Sequence, residues 1–272
     1  LTGNRTLSLT DIGAEGILLA GGARAILLQV ANPHVGQGVA GHSDFSSRPL
    51  DRLKATMTYV YAVTYGTDDQ RAEVVRRVNR AHGPVHGSPT PVAGPAGSEP
   101  VGYNAFDPQL QLWVAATLYE TAVSVYQRVF GSLDAESADR IYQDYAVLGT
   151  SLQVPAGSWP ANRMEFTTYW NGQLDSLLIG AAARHVARDL FHPTGAPWWL
   201  RALLPSLRFV TAGLLPPGVR ADYGFRWDAR RQRRFDRAVR IIATIYPPLP
   251  RRLRFRLRDR CLAALDRSLH AR

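Results

Sequence analysis

Arg52-Leu53-Lys54-Ala55-Thr56 and, beyond a stop at Gly66, Thr67-Asp68-Asp69-Gln70-Arg71 running on to His82 are the stretch whose reading decides the fold. The two runs read as a pair of helices joined by a short turn. Pro49 stands one turn ahead of the Arg52 run, Asp51 lends negative charge to its N-terminal end, and Gly66 is a usual C-terminal stop. Arg52 and Thr56 lie one turn apart and share a face. In the second run Val75, Val78 and His82 recur at i, i+3 and i+7, which puts His82 on the apolar side. The helix breakers Gly83-Pro84 follow at once, so an imidazole is expected to project inward near a helix end. Neutral imidazole is the commonest protein metal ligand. A lone histidine on an apolar face also reads as a packed core residue, and Arg52 as half of a surface ion pair worth little. These residues by themselves leave those alternatives open.

Working outward, 272 residues with 46% hydrophobic and 20% charged content describe an ordinary globular chain with room for a large core. The single cysteine, Cys261, excludes an internal disulfide and any cysteine-built metal cluster. The longest apolar window, Ile17 to Val30, is broken by Gly21-Gly22 and Arg24, so no membrane span is expected. The start lacks the basic residues and clean apolar run of a signal peptide, which makes a cytoplasmic location the expectation. The net charge of +10 is concentrated at the end: the last seventy-odd residues hold 18 arginines against five acids, and Lys54 is the lone lysine. No helix-turn-helix, zinc-finger or RNA-binding signature accompanies those arginines, so no nucleic-acid partner is expected. A basic helical surface in peripheral contact with anionic lipid is the better match.

The rest of the chain reads as helices. Thr10-Asp11 can cap a first helix leading into the buried stretch to Val30, where Gly21-Gly22 lacks the spacing of a phosphate loop and fits close helix packing. Pro33 ends that element, and residues 34–47 read as a Gly/His/Ser-rich connection holding His34 and His42. Residues 87–104, rich in Gly, Pro and Ser, are long for a bare connector and read as a lid over a site. Asp107-Pro108 opens a helix closed by Gly131, with Leu110, Trp113, Val114, Thr117, Leu118, Thr121 and Val125 inward. A further helix is expected over 135–148, then 163–170 and 174–190 with a kink at Gly172. Glu165 reads as dipole compensation. From 195 onward, prolines punctuate short helices, the last over 251–269 with Leu253, Leu257, Cys261, Ala264 and Leu265 as its apolar stripe. No alternating strand runs are evident. The expectation is all-α: one helical domain over 1–272, with 195–272 an arginine-rich extension packed on it.

GxSxG, HExxH, paired CxxC and Walker patterns are all missing. His82 and His86 have a helical metal spacing, but Gly83-Pro84 breaks the helix that would align them.

The segments Gly21-Gly22-Ala23-Arg24-Ala25, Gly41-His42-Ser43-Asp44-Phe45, Arg52-Leu53-Lys54-Ala55-Thr56 and Val78-Asn79-Arg80-Ala81-His82 occur in that order, and in this the chain resembles the MpaB-type oxygenases and rubber oxygenases (latex-clearing proteins). The resemblance covers most of the chain and is weakest in the last third. It implies a globin-like helical core with haem b, His82 as the axial ligand of the iron, and Arg52 and Thr56 at the cofactor facing an O2 or peroxide co-substrate. The family motif is of the type Arg-x-x-Lys-Thr. Here Ala55 stands in place of its lysine, and Lys54, one residue away, is turned by about 100° on a helix. The implied distal lysine ligand is therefore missing. The implied reaction is oxygenation or oxidative cleavage of a carbon–carbon double bond in a hydrophobic, isoprenoid-like substrate, in a cavity lined by residues such as Met57, Val60 and Trp113. The alternative is a non-catalytic helical protein that binds an apolar ligand or a membrane surface on the same scaffold.

Overall fold

A computed structural model describes residues 5–42, 49–90, 100–194 and 197–271. The described residues are all-α apart from one small hairpin. In order it runs α1 (Leu9–Ile12), a 3-10 stretch (Gly16–Gly21), α2 (Gly22–Ala31), α3 (Pro33–His42), α4 (Pro49–Tyr65) and α5 (Asp68–His82). Strands β1 (His86–Thr90) and β2 (Val101–Asn104) follow. Then come α6 (Pro108–Phe130), α7 (Ala135–Tyr145), α8 (Val147–Thr150), α9 (Arg163–Ser176) and α10 (Ala181–Phe191). The C-terminal part comprises α11 (Trp198–Leu214), α12 (Pro217–Asp222), α13 (Ala229–Ile245), α14 (Arg251–Arg254) and α15 (Arg256–His270).

Helix α6 is the centre of the packing. The Asp107 carboxylate accepts from Gln109 N at 2.8 Å, Pro108 occupies the first turn, and Gly131 leaves the helix at φ 94°. That positive φ is costly for any residue with a Cβ. The expected stripe is only part of what α6 buries. Leu112, Ala115, Ala116, Tyr119 and Ala122 are enclosed as well, so the helix is surrounded on most sides. Trp113 is fully buried, donates to Leu28 O and stacks on Trp170. Around Tyr119 the rings of Tyr142, Tyr145, Trp159 and Phe166 meet edge to face, the arrangement their quadrupoles favour. Gly21 lies against α6 so closely that a Cβ would collide with Thr121, which accounts for this glycine through packing, whereas a Cβ at Gly22 would meet nothing nearer than Leu53 at 4.0 Å.

Several boundaries differ from the sequence expectation, each for a local reason. The first helix is capped by Ser8, whose N–H donates to Asp11 Oδ2 at 2.9 Å, and the following apolar stretch divides into a 3-10 turn and α2. Pro33 starts a new helix where a connection was expected. Gly36 and Gly38 sit inside α3 because Val30 O and Tyr103 approach within 2.5 and 3.2 Å of where a Cβ would stand. Within the segment expected as a lid, the ends pair as an antiparallel hairpin with His86 opposite Asn104, and residues 91–99 lie outside the described residues. The break after 163 falls at Leu177–Gly180 and not at Gly172, which is inside α9. Pro205 is likewise inside α11. Leu253 is 54% exposed and drops out of the last helix's apolar stripe, whereas Cys261 and Leu265 are buried in it.

Helix α15 packs on α4 and α5, and α13 on α6, so the arginine-rich part is joined to the rest through extensive helix contacts. Arg254 reaches the buried Glu15 at 2.6 Å, a second tie between the two ends of the chain.

Candidate functional site

Helices α4 and α5 form an antiparallel hairpin that turns at Gly66-Thr67. Thr67 caps α5 by accepting from Gln70 N at 3.3 Å, while Gln70 Oε1 accepts from Thr67 N at 3.1 Å. Counting back from that turn, the residue opposite Arg52, near the start of α4, is at the end of α5. This is where His82 stands as the final helical residue. The hairpin therefore brings Arg52 and His82 together. Both are half-buried.

The His82 ring packs edge to face on Phe106, with centroids 6.2 Å apart. Its Nδ1 is buried and has no hydrogen-bond partner among the described residues. Burial first, and then the Arg52 guanidinium, hold the imidazole below its usual range, so it is neutral at pH 7. Burial also lowers the proton affinity of Arg52, which stays charged because the ordinary value is so high. Thr56, one turn along α4, is exposed, as are Lys54 and Ala55. No hydrogen bond joins Thr56 to His82. The three expected site residues thus divide into an electrostatically coupled pair, Arg52 and His82, and an exposed hydroxyl.

The surroundings of His82 are fixed by an amide network that the sequence reading missed. Gln153 Nε2 donates to Asn79 Oδ1 at 3.1 Å, one turn before His82. Gln153 N donates to Gln111 Oε1 at 2.9 Å, and Gln111 Nε2 donates to Gln153 Oε1 and to Ala105 O. The chain from Ala105 leads directly into Phe106. The network therefore ties the last turn of α5 to the residue whose ring abuts His82. Gln111, set between Leu110 and Leu112 in the apolar first turns of α6, was the available signal, since a buried amide must find partners. Behind this, the buried carboxylate of Glu73 accepts from Arg76 at 2.9 Å and Arg77 at 2.7 Å, and Arg77 also donates to Ser268 of α15.

His34 and His42 serve the scaffold. His34 Nδ1 is 2.6 Å from Gly102 O and His42 Nε2 is 3.0 Å from Tyr103 Oη, so both attach α3 to β2. The rest of the His42-Ser43-Asp44-Phe45 run lies outside the described residues. His86 is exposed on β1. Among the described residues, no three His, Cys, Asp or Glu side chains gather as a metal site. A cavity of about 490 Å³ opens between α3, the hairpin and the start of α10, with Val30, Gly36, Tyr103, Leu178 and Ala182 in its wall. Met57, Val60 and Trp113 do not line it, and Trp113 belongs to the core. Arg52, Thr56 and His82 are not in its wall either.

Fold and site together define an all-helical domain with one neutral, inward-set histidine beside a cation. The chain belongs to the ER-bound oxygenase mpaB/B'/rubber oxygenase catalytic-domain family, whose sequence pattern matches residues 10–244. It is 38% identical over 235 residues to uncharacterized proteins of Mycobacterium tuberculosis and Mycobacterium bovis, covering 85% of this chain and 89% of each relative. No solved structure matches the chain. No helix among the described residues is long and apolar enough to cross a membrane.

Proposed function

We propose that this oxygenase-family domain is a haem b-dependent enzyme that uses O2 or peroxide to oxygenate or cleave a carbon–carbon double bond in a hydrophobic, isoprenoid-like substrate. The observation that carries the reading is the buried, unpartnered Nδ1 of a neutral His82 beside Arg52. A buried polar atom without a partner costs about 1–3 kcal/mol, so a group supplied from outside the chain is favoured there. Haem would suit this donor set because a single histidine of the protein can hold it, and no cluster of metal-ligating side chains is present among the described residues. When bound, haem supplies the oxygen activation that protein side chains cannot.

The chain's own residues have separable tasks. His82 would hold the iron, and burial together with Arg52 favours the neutral imidazole that such binding needs. Arg52 offers a fixed positive charge to an anionic group of the cofactor or to an oxygen co-substrate. Thr56 provides a hydroxyl on the outer part of the same helix face, where a co-substrate enters. Ala55 contributes no ligand, so the position held by lysine in the family motif is open to water or co-substrate. Phe106 packs against the imidazole, and the Asn79–Gln153–Gln111 amides tie the last turn of α5 to the segment that carries Phe106.

Turnover is the test. Haem-loaded chain incubated with an isoprenoid alkene under air is expected to give oxygenated or carbonyl products that disappear under nitrogen. The separation of the 490 Å³ apolar cavity from His82 favours a second reading, a helical protein that binds an apolar ligand without turnover. That reading predicts ligand binding with no oxygen-dependent product.

A further inference from the structure

We infer that the outer face of α13 and the turn after it form a docking surface for an anionic lipid bilayer. Residues 229–245 contain six arginines and one acid. Phe235 is buried in α13, and its ring meets Phe209 and Trp227. At about 100° per residue, Arg230, Arg237 and Ile241 fall on the side of the helix opposite Phe235 and Val239, with Arg234 and Ile245 on its flank. That outward stripe is basic for its first half and apolar for its second. The isoleucines are 51% and 61% exposed, an unusual position for a β-branched aliphatic residue on the solvent side of a helix.

The apolar part continues past the helix. Leu249 N donates to Tyr246 O and Leu253 N to Pro250 O, so two tight turns carry the chain onward from Ile245. Both leucines are exposed. Arg251 and Arg252, also exposed, stand between them. Among the described residues, none of the α13 arginines is in an ion pair with a carboxylate, although Arg231 donates to Arg226 O and Arg234 lies over Phe209. The positive charge is therefore available to an external anion.

Charge selects the occupant. A second copy of this chain would bring the same arginines against themselves, and like charges would oppose the apolar contact. Duplex nucleic acid would use the arginines but leave the aliphatic side chains against a phosphate backbone. An anionic phospholipid surface satisfies both: headgroups meet the guanidinium groups, and Ile241, Ile245, Leu249 and Leu253 enter the region below them. An apolar substrate drawn from the bilayer would then be delivered to a domain held at its surface; that last step rests on the proposed oxygenase reading, while the docking does not.

The test is flotation of the full 272-residue chain with vesicles of neutral phosphatidylcholine and with vesicles containing 30% phosphatidylglycerol. We expect binding at least about tenfold tighter to the anionic vesicles, weakened by salt. Ile241→Ser/Ile245→Ser should lower that binding about tenfold, and Arg230→Gln/Arg237→Gln should lower it while leaving residual salt-insensitive binding. The circular dichroism spectrum and melting temperature of both variants should match wild type, because the altered side chains face outward. Equal binding to both vesicle types, or unchanged binding by both variants, overturns the proposal. So does conversion of a wild-type dimer to a monomer by the isoleucine changes, or tight salt-dependent binding of duplex DNA without any vesicle binding. None of these results depends on haem, so the docking surface and the oxygenase reading fail or stand separately.

Discussion

The Arg52 guanidinium acts on the His82 imidazole across the α4–α5 hairpin, adding to burial in holding the ring neutral. Replacing Arg52 with Met removes the charge while keeping most of the side-chain volume. The His82 pKa should then rise toward 6.5 but stay below it, since burial, the larger cause, remains. Histidine Cε1–H titration by NMR reads this directly. An unchanged or lowered value in Arg52→Met contradicts the coupling.

His82 also links stability to pH. Its folded-state pKa is lower than the unfolded value of 6.5, so below pH 6.5 the unfolded chain takes up a proton that the folded chain resists. Stability should therefore be lost as pH falls through 6.5 toward the folded-state value, and this contribution should be flat above it. Urea unfolding of wild type and His82→Phe between pH 5 and 8 separates the effect from other groups. The variant should show a shallower decline on the acid side, and parallel curves would contradict the assignment.

Gln111 supports the site at one remove. Gln111→Leu leaves Gln153 N and Ala105 O without their side-chain partners, at a cost of about 1–3 kcal/mol. Chemical unfolding measures the loss. The His82 and Phe106 resonances should shift as well, because the amides fix the segment that carries Phe106. A stability loss with no change at His82 would confine Gln111 to a packing role.

Arg24 is 2% exposed, and its guanidinium is shared among Glu120, Thr121 and Leu214 O, the last accepting at 2.7 Å. Glu120→Ala leaves this buried cation without its counter-charge, which typically costs about 3–5 kcal/mol. The melting temperature should fall by many degrees while a conservative Glu120→Asp falls less. A near-neutral Glu120→Ala would show that water reaches Arg24.

Much of the architecture was readable because local and global signals agreed. Asp107-Pro108 and Gly131 bracket α6 at both ends, Gly66 separates α4 from α5, and the 3.6-residue recurrence of Val75, Val78 and His82 puts the imidazole at the edge of the buried face. The glycine-rich helix α3 was not readable, because Gly36 and Gly38 are placed by contacts with Val30 and Tyr103, which lie on other elements. The β1–β2 hairpin has too little alternation to be seen and is held from outside by His34 and His42. At the site, helix spacing put His82 on an apolar face, and the family resemblance singled out Arg52. Their closeness depends on the antiparallel hairpin, and the amide network depends on residues 79, 105, 111 and 153 meeting in space.

The most direct measurement on the central claim is the visible absorption spectrum of the purified chain after haem is supplied, compared with His82→Ala prepared identically. The account predicts a Soret band that saturates at one haem per chain in wild type and is lost or strongly shifted in the variant. No Soret band in wild type, or the same band at the same stoichiometry in both, would contradict it.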